Sequence, residues 1–168
     1  MNNNIRAAII PGSFDPITVG HLDLIERCAN IFETVYINVF SNSEKSGGMF
    51  TAEEKLDMLK LATKHLPNVI CSADNGMTAL FAEEKQAVIV KGVRNVADFD
   101  YEIGMFWMNR AIASAETLFL PAKQEYLHIS STFVRELIKY GRDFSNVVPK
   151  PVCQYLKTKI DRDIKKML

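Results

Sequence analysis

At 168 residues the chain is sized for one domain, 1–168, with enough length to bury a hydrophobic core. Lys plus Arg and Asp plus Glu both total 20, giving a formal net charge of zero. That balance excludes a sequence-blind nucleic-acid binder, which needs a broad basic field, but leaves room for a nucleotide site served by a few cations.

Cys28, Cys71 and Cys153 are scattered and form no CxxC pair, which suits reduced thiols in a cytosol better than a disulfide framework or a zinc site. The apolar run near the N-terminus is too short for a signal peptide, and no segment approaches the ~20 apolar residues of a membrane span. The expectation is a cytoplasmic protein with no membrane or nucleic-acid partner.

In chain order, Ile5–Ile10 predicts a buried strand, and Val19–Phe32 a helix with Leu22, Ile25, Ala29 and Phe32 on one face. A second strand, Val35–Phe40, leads into a polar loop, Ser41–Gly48. Thr51-Ala-Glu-Glu54 is a capping box ahead of a helix whose inner positions are Leu56, Leu59, Thr63 and Leu66. Strands at Val69–Cys71, Ala87–Val90 and Thr117–Leu120 alternate with helices at Thr78–Lys85 and Asp98–Ser114. Helices Ser131–Tyr140, stopped at Gly141, and about 151–166 close the chain. This alternation implies an α/β fold: a parallel sheet with helices on both faces. Right-handed crossovers then gather the strand-to-helix loops at the carboxyl edge, where open α/β sheets bind ligands.

Three of those loops are chemically unusual. After the first strand runs Pro11-Gly-Ser-Phe-Asp-Pro-Ile-Thr-Val-Gly-His21, with Thr18 as a helix N-cap and Gly20 and His21 in the first turn. A helix-interior glycine costs ~1 kcal/mol relative to alanine. A nucleotide lying over the helix start, near its free N–H groups, would account for Gly20, and His21 is placed to donate to a phosphate oxygen. After the fourth strand, Lys91 and Arg94 flank Gly92 ahead of Asp98, Asp100 and Glu102. Taken alone this fits either a phosphate-neutralising loop or a solvated basic turn beside an acidic helix start. After the fifth strand, Tyr126-Leu-His-Ile-Ser-Ser-Thr132 puts hydroxyls at a helix N-terminus, either as a phosphate cradle or as simple N-capping.

The first loop resembles the HxGH nucleotidyltransferase superfamily, in the Thr-x-Gly-His form typical of phosphopantetheine adenylyltransferases. Lys91–Glu102 is similar to that family's Arg-Gly-x-Arg-x-x-x-Asp-[Tyr/Phe]-x-Tyr-Glu block, with Lys91 where Arg is usual. Ile129-Ser-Ser-Thr132 resembles its Ile-Ser-Ser-Ser motif. The resemblance implies a Rossmann-like doubly wound five-stranded sheet and transfer of the adenylyl group of ATP to 4′-phosphopantetheine, giving dephospho-coenzyme A and pyrophosphate.

By the same resemblance, His21 stabilises the transition state at the α-phosphate, and Lys45 and Lys91 share the catalytic work. The ATP site takes Ser13, Phe14, His21, Gly92, Val93, Arg94, Glu102 and the run Tyr126, Leu127, His128, Ile129, Ser130, Ser131, Thr132. His128 is expected to pack or to be exposed, not to act as a base. The acceptor site takes Ser13, Lys45, Thr78 and Lys91. Mg²⁺ is expected on the triphosphate with no dedicated protein metal site. The family is typically a homohexamer, with coenzyme A as a feedback ligand, and the Phe106/Trp107 pair would suit an interface.

Two alternatives stay open. Ile129-Ser-Ser-Thr-Phe-Val-Arg135 also fits nicotinate or nicotinamide mononucleotide adenylyltransferases, although those carry a His where Thr18 stands. The other is a non-catalytic nucleotide-sensing module that kept the fold.

Overall fold

A computed structural model describes residues 6–40, 48–74 and 76–167. Five strands, β1 (Ala7–Gly12), β2 (Thr34–Phe40), β3 (Val69–Asp74), β4 (Ala87–Val93) and β5 (Thr117–Pro121), form one sheet in the order β3-β2-β1-β4-β5. Every pairing is parallel. Six helices alternate with or follow them: α1 (Val19–Ile31), α2 (Ala52–Thr63), α3 (Thr78–Glu84), α4 (Val96–Ile112), α5 (Ser131–Lys139) and α6 (Lys150–Met167).

The period of two along each strand divides the core into two layers. Ala8, Ile10, Val35, Ile37, Val39, Val88 and Val90 point to the face covered by Ile25 and Cys28 of α1, Met58 and Leu59 of α2, Val134 of α5 and Leu156 of α6. Ile9, Ala87 and Ile89 point the other way, against Ala82 and Phe81 of α3. Fully buried aliphatics such as Ile9, Ile37 and Ile89 each contribute about 1.5–3 kcal/mol over the exposed state. Strands buried on both faces explain the near-continuous apolar runs of the sequence.

The elements match the sequence expectation with shifts at their ends. β1 continues past the expected Ile10 through Pro11 and Gly12. A proline in a central strand removes a ladder donor, but β1 pairs with β4 only up to Ile9↔Ile89, while its pairing with β2 runs on to Gly12↔Val39. Pro11 therefore sits where β1 pairs with β2 but not with β4. β4 extends beyond Val90 because Lys91, Gly92 and Val93 pair with Phe119, Leu120 and Pro121. α4 starts two residues earlier than expected, at Val96, because the Asn95 side chain accepts from the Asp98 N–H at 2.9 Å and caps it.

One consequence of this topology positions everything that follows. The chain leaves β1 toward α1 and β2 on one side, and β4 continues to β5 on the other. The sheet order reverses between β1 and β4, and their carboxyl ends part there, opening a crevice at the switch point. No helix among the described residues is long and apolar enough to cross a membrane.

Candidate active site

The crevice holds a cavity of about 460 Å³ walled by the ends of β1 and β4, the first turns of α1, α4 and α5, and the short turn Gln124–Tyr126. Among the described residues it collects Phe14, His21, Lys91, Gly92, Arg94, Glu102, Tyr126, Ile129, Ser130 and Ser131 from the expected set. Ser13, Val93, Leu127, His128, Thr132 and Thr78 stand outside its walls. Ser13, Leu127, His128 and Thr132 are exposed, Ser13 at the rim beside Gly12 and Phe14. Lys45 lies outside the described residues.

Thr18 caps α1 through a reciprocal capping box in which the third helical residue is His21. The Thr18 Oγ1 accepts from the His21 backbone N–H at 3.3 Å, and the His21 Nδ1 accepts from the Thr18 backbone N–H at 3.1 Å. A backbone N–H can only donate, so Nδ1 is unprotonated and the proton of the neutral ring resides on Nε2. Burial disfavours the charged ring and the nearby Arg94 guanidinium adds repulsion, so the His21 pKa falls from 6.5 to about 4. The residue is thus a neutral donor at physiological pH, held in one orientation by the helix it starts.

The turn before it is closely built. Phe14 adopts φ 44° and is buried, and its ring packs edge-on to His21 with centroids 5.2 Å apart. A Cβ on Gly12 would meet that ring at 2.9 Å, so the glycine is needed for this approach. Gly20 is different: a Cβ there would find nothing nearer than the Tyr126 Cβ at 3.5 Å. Protein packing does not demand this glycine. Its open side belongs to the cavity, in keeping with the ligand-based reading of the sequence. Gly92 serves packing as well as access, since a Cβ would come within 3.1 Å of Leu24 on α1.

The cations are pre-paired with α4. Lys91 lies 3.2 Å from the Glu102 carboxylate, and both are largely shielded from solvent. The Arg94 Nε donates to Asp98 at 2.9 Å, while its Nη1 reaches the Ile129 carbonyl at 3.4 Å. Both readings of this loop therefore hold in part: Asp98 and Glu102 are partners of the basic residues, and the pairs face one cavity. Arg94 also ties the end of β4 to the turn before α5. There, the Ser130 side chain accepts from the Phe133 N–H at 3.1 Å and caps α5, and the Ser131 hydroxyl donates to the Pro16 carbonyl at 2.8 Å.

Sequence reading missed the deeper wall. Asp23, buried, pairs with Lys123 and with Arg27 at 3.5 Å, and Arg27 donates to the Pro121 carbonyl at 2.8 Å. Leu24, Leu120, Ala122, Ala97 and Tyr101 complete the lining. The available signal was helical spacing: Gly20, Asp23, Leu24 and Arg27 recur at the three-to-four-residue interval of one α1 face. Residues of β5 and its exit carry no such mark. Among the described residues, no group of three or more His, Cys, Asp or Glu converges as a metal cage. Burial pushes the Cys28 thiol to about 11, against the opposing charge of Arg27, so it is no nucleophile.

Residues 9–137 match the cytidylyltransferase-like family model. The chain is 46% identical over 154 residues to a phosphopantetheine adenylyltransferase of Symbiobacterium thermophilum, spanning 90% of this chain and 94% of that one. In three dimensions it resembles a crystal structure from Vibrio parahaemolyticus, provisionally assigned as a nicotinate-nucleotide adenylyltransferase, with a TM-score of 0.72 over 93% of this chain and 94% of that chain. At 22% identity that likeness establishes the Rossmann-like fold alone. A family model over most of the chain, a near-full-length relative and a switch-point crevice built around Thr18 and His21 agree: the chain belongs to the cytidylyltransferase-like nucleotidyltransferases and, among them, to the phosphopantetheine adenylyltransferase family.

Proposed function

We propose that the chain transfers the adenylyl group of ATP to 4′-phosphopantetheine, giving dephospho-coenzyme A and pyrophosphate. The observation that carries this reading is the crevice in which a neutral, oriented His21 faces the same space as Lys91, Arg94 and the Ser130–Ser131 helix start. The acceptor phosphate is already an anion, so the reaction requires no strong base and no covalent enzyme intermediate. The acceptor oxygen attacks the α-phosphorus in line as the bond to pyrophosphate breaks. The protein positions two anions and stabilises the charge that develops between them.

His21 Nε2–H donates to an α-phosphate oxygen, and its neutrality keeps that donor available without a proton transfer. Arg94 and the Ser130–Thr132 turn hold the ATP phosphates, with Phe14, Gly92, Val93 and Tyr126–Ile129 around the nucleotide. Lys91, Lys45, Thr78 and Ser13 serve the acceptor. Phosphate binding would draw Lys91 and Arg94 toward a competing anion, and until then Glu102 and Asp98 hold the cations in place. The cavity carboxylates Asp23, Asp98 and Glu102 are all engaged by cations, which fits a Mg²⁺ held by phosphate oxygens and water. An ion arriving with ATP would supply charge neutralisation at the leaving pyrophosphate.

Further properties belong to the same proposal. Self-association, as in the homohexamer the resemblance implies, is supported by α4, whose Val96, Phe99, Trp107, Met108 and Ile112 are all exposed, while Asn109 is its only buried residue among those described. Coenzyme A, which carries the same pantetheine arm, would compete at the acceptor side. A cytoplasmic location suits three free cysteines.

The direct test supplies Mg-ATP with 4′-phosphopantetheine or nicotinate mononucleotide in parallel and follows pyrophosphate. Release with phosphopantetheine is the expected result. Release with the mononucleotide alone would defeat the acceptor assignment, and release with neither would favour the sensing module.

A further inference from the structure

Arg135 was notable in the sequence because it completes a pattern shared with mononucleotide adenylyltransferases, yet it lies outside the cavity walls. Its guanidinium is committed internally. Nη1 donates to the Asp15 carbonyl at 2.7 Å and stands 3.5 Å from the Asp15 carboxylate, and Nη2 donates to Thr132 Oγ1 at 3.0 Å. One turn earlier on the same helix, the Ser131 hydroxyl holds the next carbonyl along, that of Pro16, at 2.8 Å. Two successive carbonyls of the β1–α1 turn are therefore gripped from α5, immediately before Thr18 and His21. The Asp15 carboxylate, only 4% of the residue being exposed, is fixed in turn by the Met49 and Phe50 N–H groups at 3.1 and 3.0 Å and by Lys55 at 3.5 Å.

We infer that Arg135 is a positioning residue: it clamps the Ser130–Thr132 turn to the Asp15–Pro16 turn and so sets the spacing between the β,γ-phosphate cradle and His21. In-line transfer depends on that spacing, because the α-phosphorus must meet His21 while the leaving phosphates are held by α5. A displacement of about 1 Å between such groups costs on the order of 100-fold in rate. The planar fork brings two separate nitrogens to this bridge, where a lysine brings one. This inference rests on adenylyl transfer but not on which acceptor is used.

The test compares Arg135→Gln and Arg135→Lys with the wild-type chain, using whichever acceptor the wild type turns over. Thermal melts confirm folding. Affinity for the α,β-methylene analogue of ATP and for pyrophosphate is measured alongside kcat. For Arg135→Gln a fall in kcat of about 10–100-fold is expected. Analogue and pyrophosphate affinities should move less than about fivefold, and Arg135→Lys should recover part of the rate. An unchanged kcat would overturn the clamp. A loss appearing wholly in analogue and pyrophosphate affinity would also overturn it, placing Arg135 on the phosphates. A parallel decline of every parameter with the melting temperature would reduce the residue to a fold contact. A wild-type chain inactive with both acceptors defeats the adenylyl-transfer reading and the clamp with it.

Discussion

Thr18 and His21 satisfy one another: each accepts the backbone N–H of the other, at 3.3 and 3.1 Å. A capping box normally uses Glu or Gln at the third helical position. Here an imidazole fills it, so the interaction that starts α1 also fixes which ring nitrogen faces the cavity. Thr18→Val removes the cap acceptor and should destabilise the fold by about 1 kcal/mol. It should also lower turnover by freeing the ring, with Thr18→Ser restoring both. Denaturant midpoints and steady-state kinetics on the same variants check this.

His21→Ala tests the donor itself. Turnover is expected to fall by about 10²–10³, with ATP affinity much less affected, because the bond strengthens as charge develops on the α-phosphate. Single-turnover rates with saturating ATP give the measurement, and near-normal turnover would remove His21 from the mechanism.

The depressed pKa of His21 has a pH signature. Between its unfolded value of 6.5 and its folded value of about 4, the unfolded chain binds a proton that the native chain does not. Stability from the neutral ring is thus complete above pH 6.5 and is lost as pH falls toward 4. On acidification from pH 7.5 to 5, the melting temperature of the native protein should drop further than that of His21→Gln. Nitrogen-15 shifts should show the Nε2–H tautomer at pH 6.

Gly12→Ala sets a Cβ 2.9 Å from the ring of Phe14, a residue whose backbone is already at φ 44°. The ring must move, and its edge contact with His21 moves with it. A loss of about 1–3 kcal/mol is expected, together with reduced turnover. Urea unfolding and kinetics measure the two effects separately.

Lys91→Arg restores a planar fork where a single ammonium now pairs with Glu102 at 3.2 Å. The Arg variant should lower the acceptor KM about threefold through bidentate phosphate contact. An unchanged or raised acceptor KM would show that the lysine geometry is matched to this site.

The sequence by itself determined the order and type of the elements, because apolar runs, capping boxes and Gly141 are local signals. It also pointed to the loops after β1, β4 and β5 as the place to look for a site, since a glycine at Gly20 is costly in a helix start and the motifs around His21, Lys91 and Ser130 are unusual together. Only the tertiary structure decided which of these residues share a cavity. The parting of β1 and β4 beyond Ile9 and Ile89 depends on strand pairings between distant segments. So do the Asp23–Lys123 pair, the Ile129 carbonyl at Arg94 and the grip of Arg135 on Asp15, contacts that span 35 to 120 positions. No local pattern records them, because their partners are brought together by the burial of other residues. His21 shows the division most plainly: its place in a motif was legible, whereas its neutrality follows from burial and from Arg94, which the folded chain alone supplies.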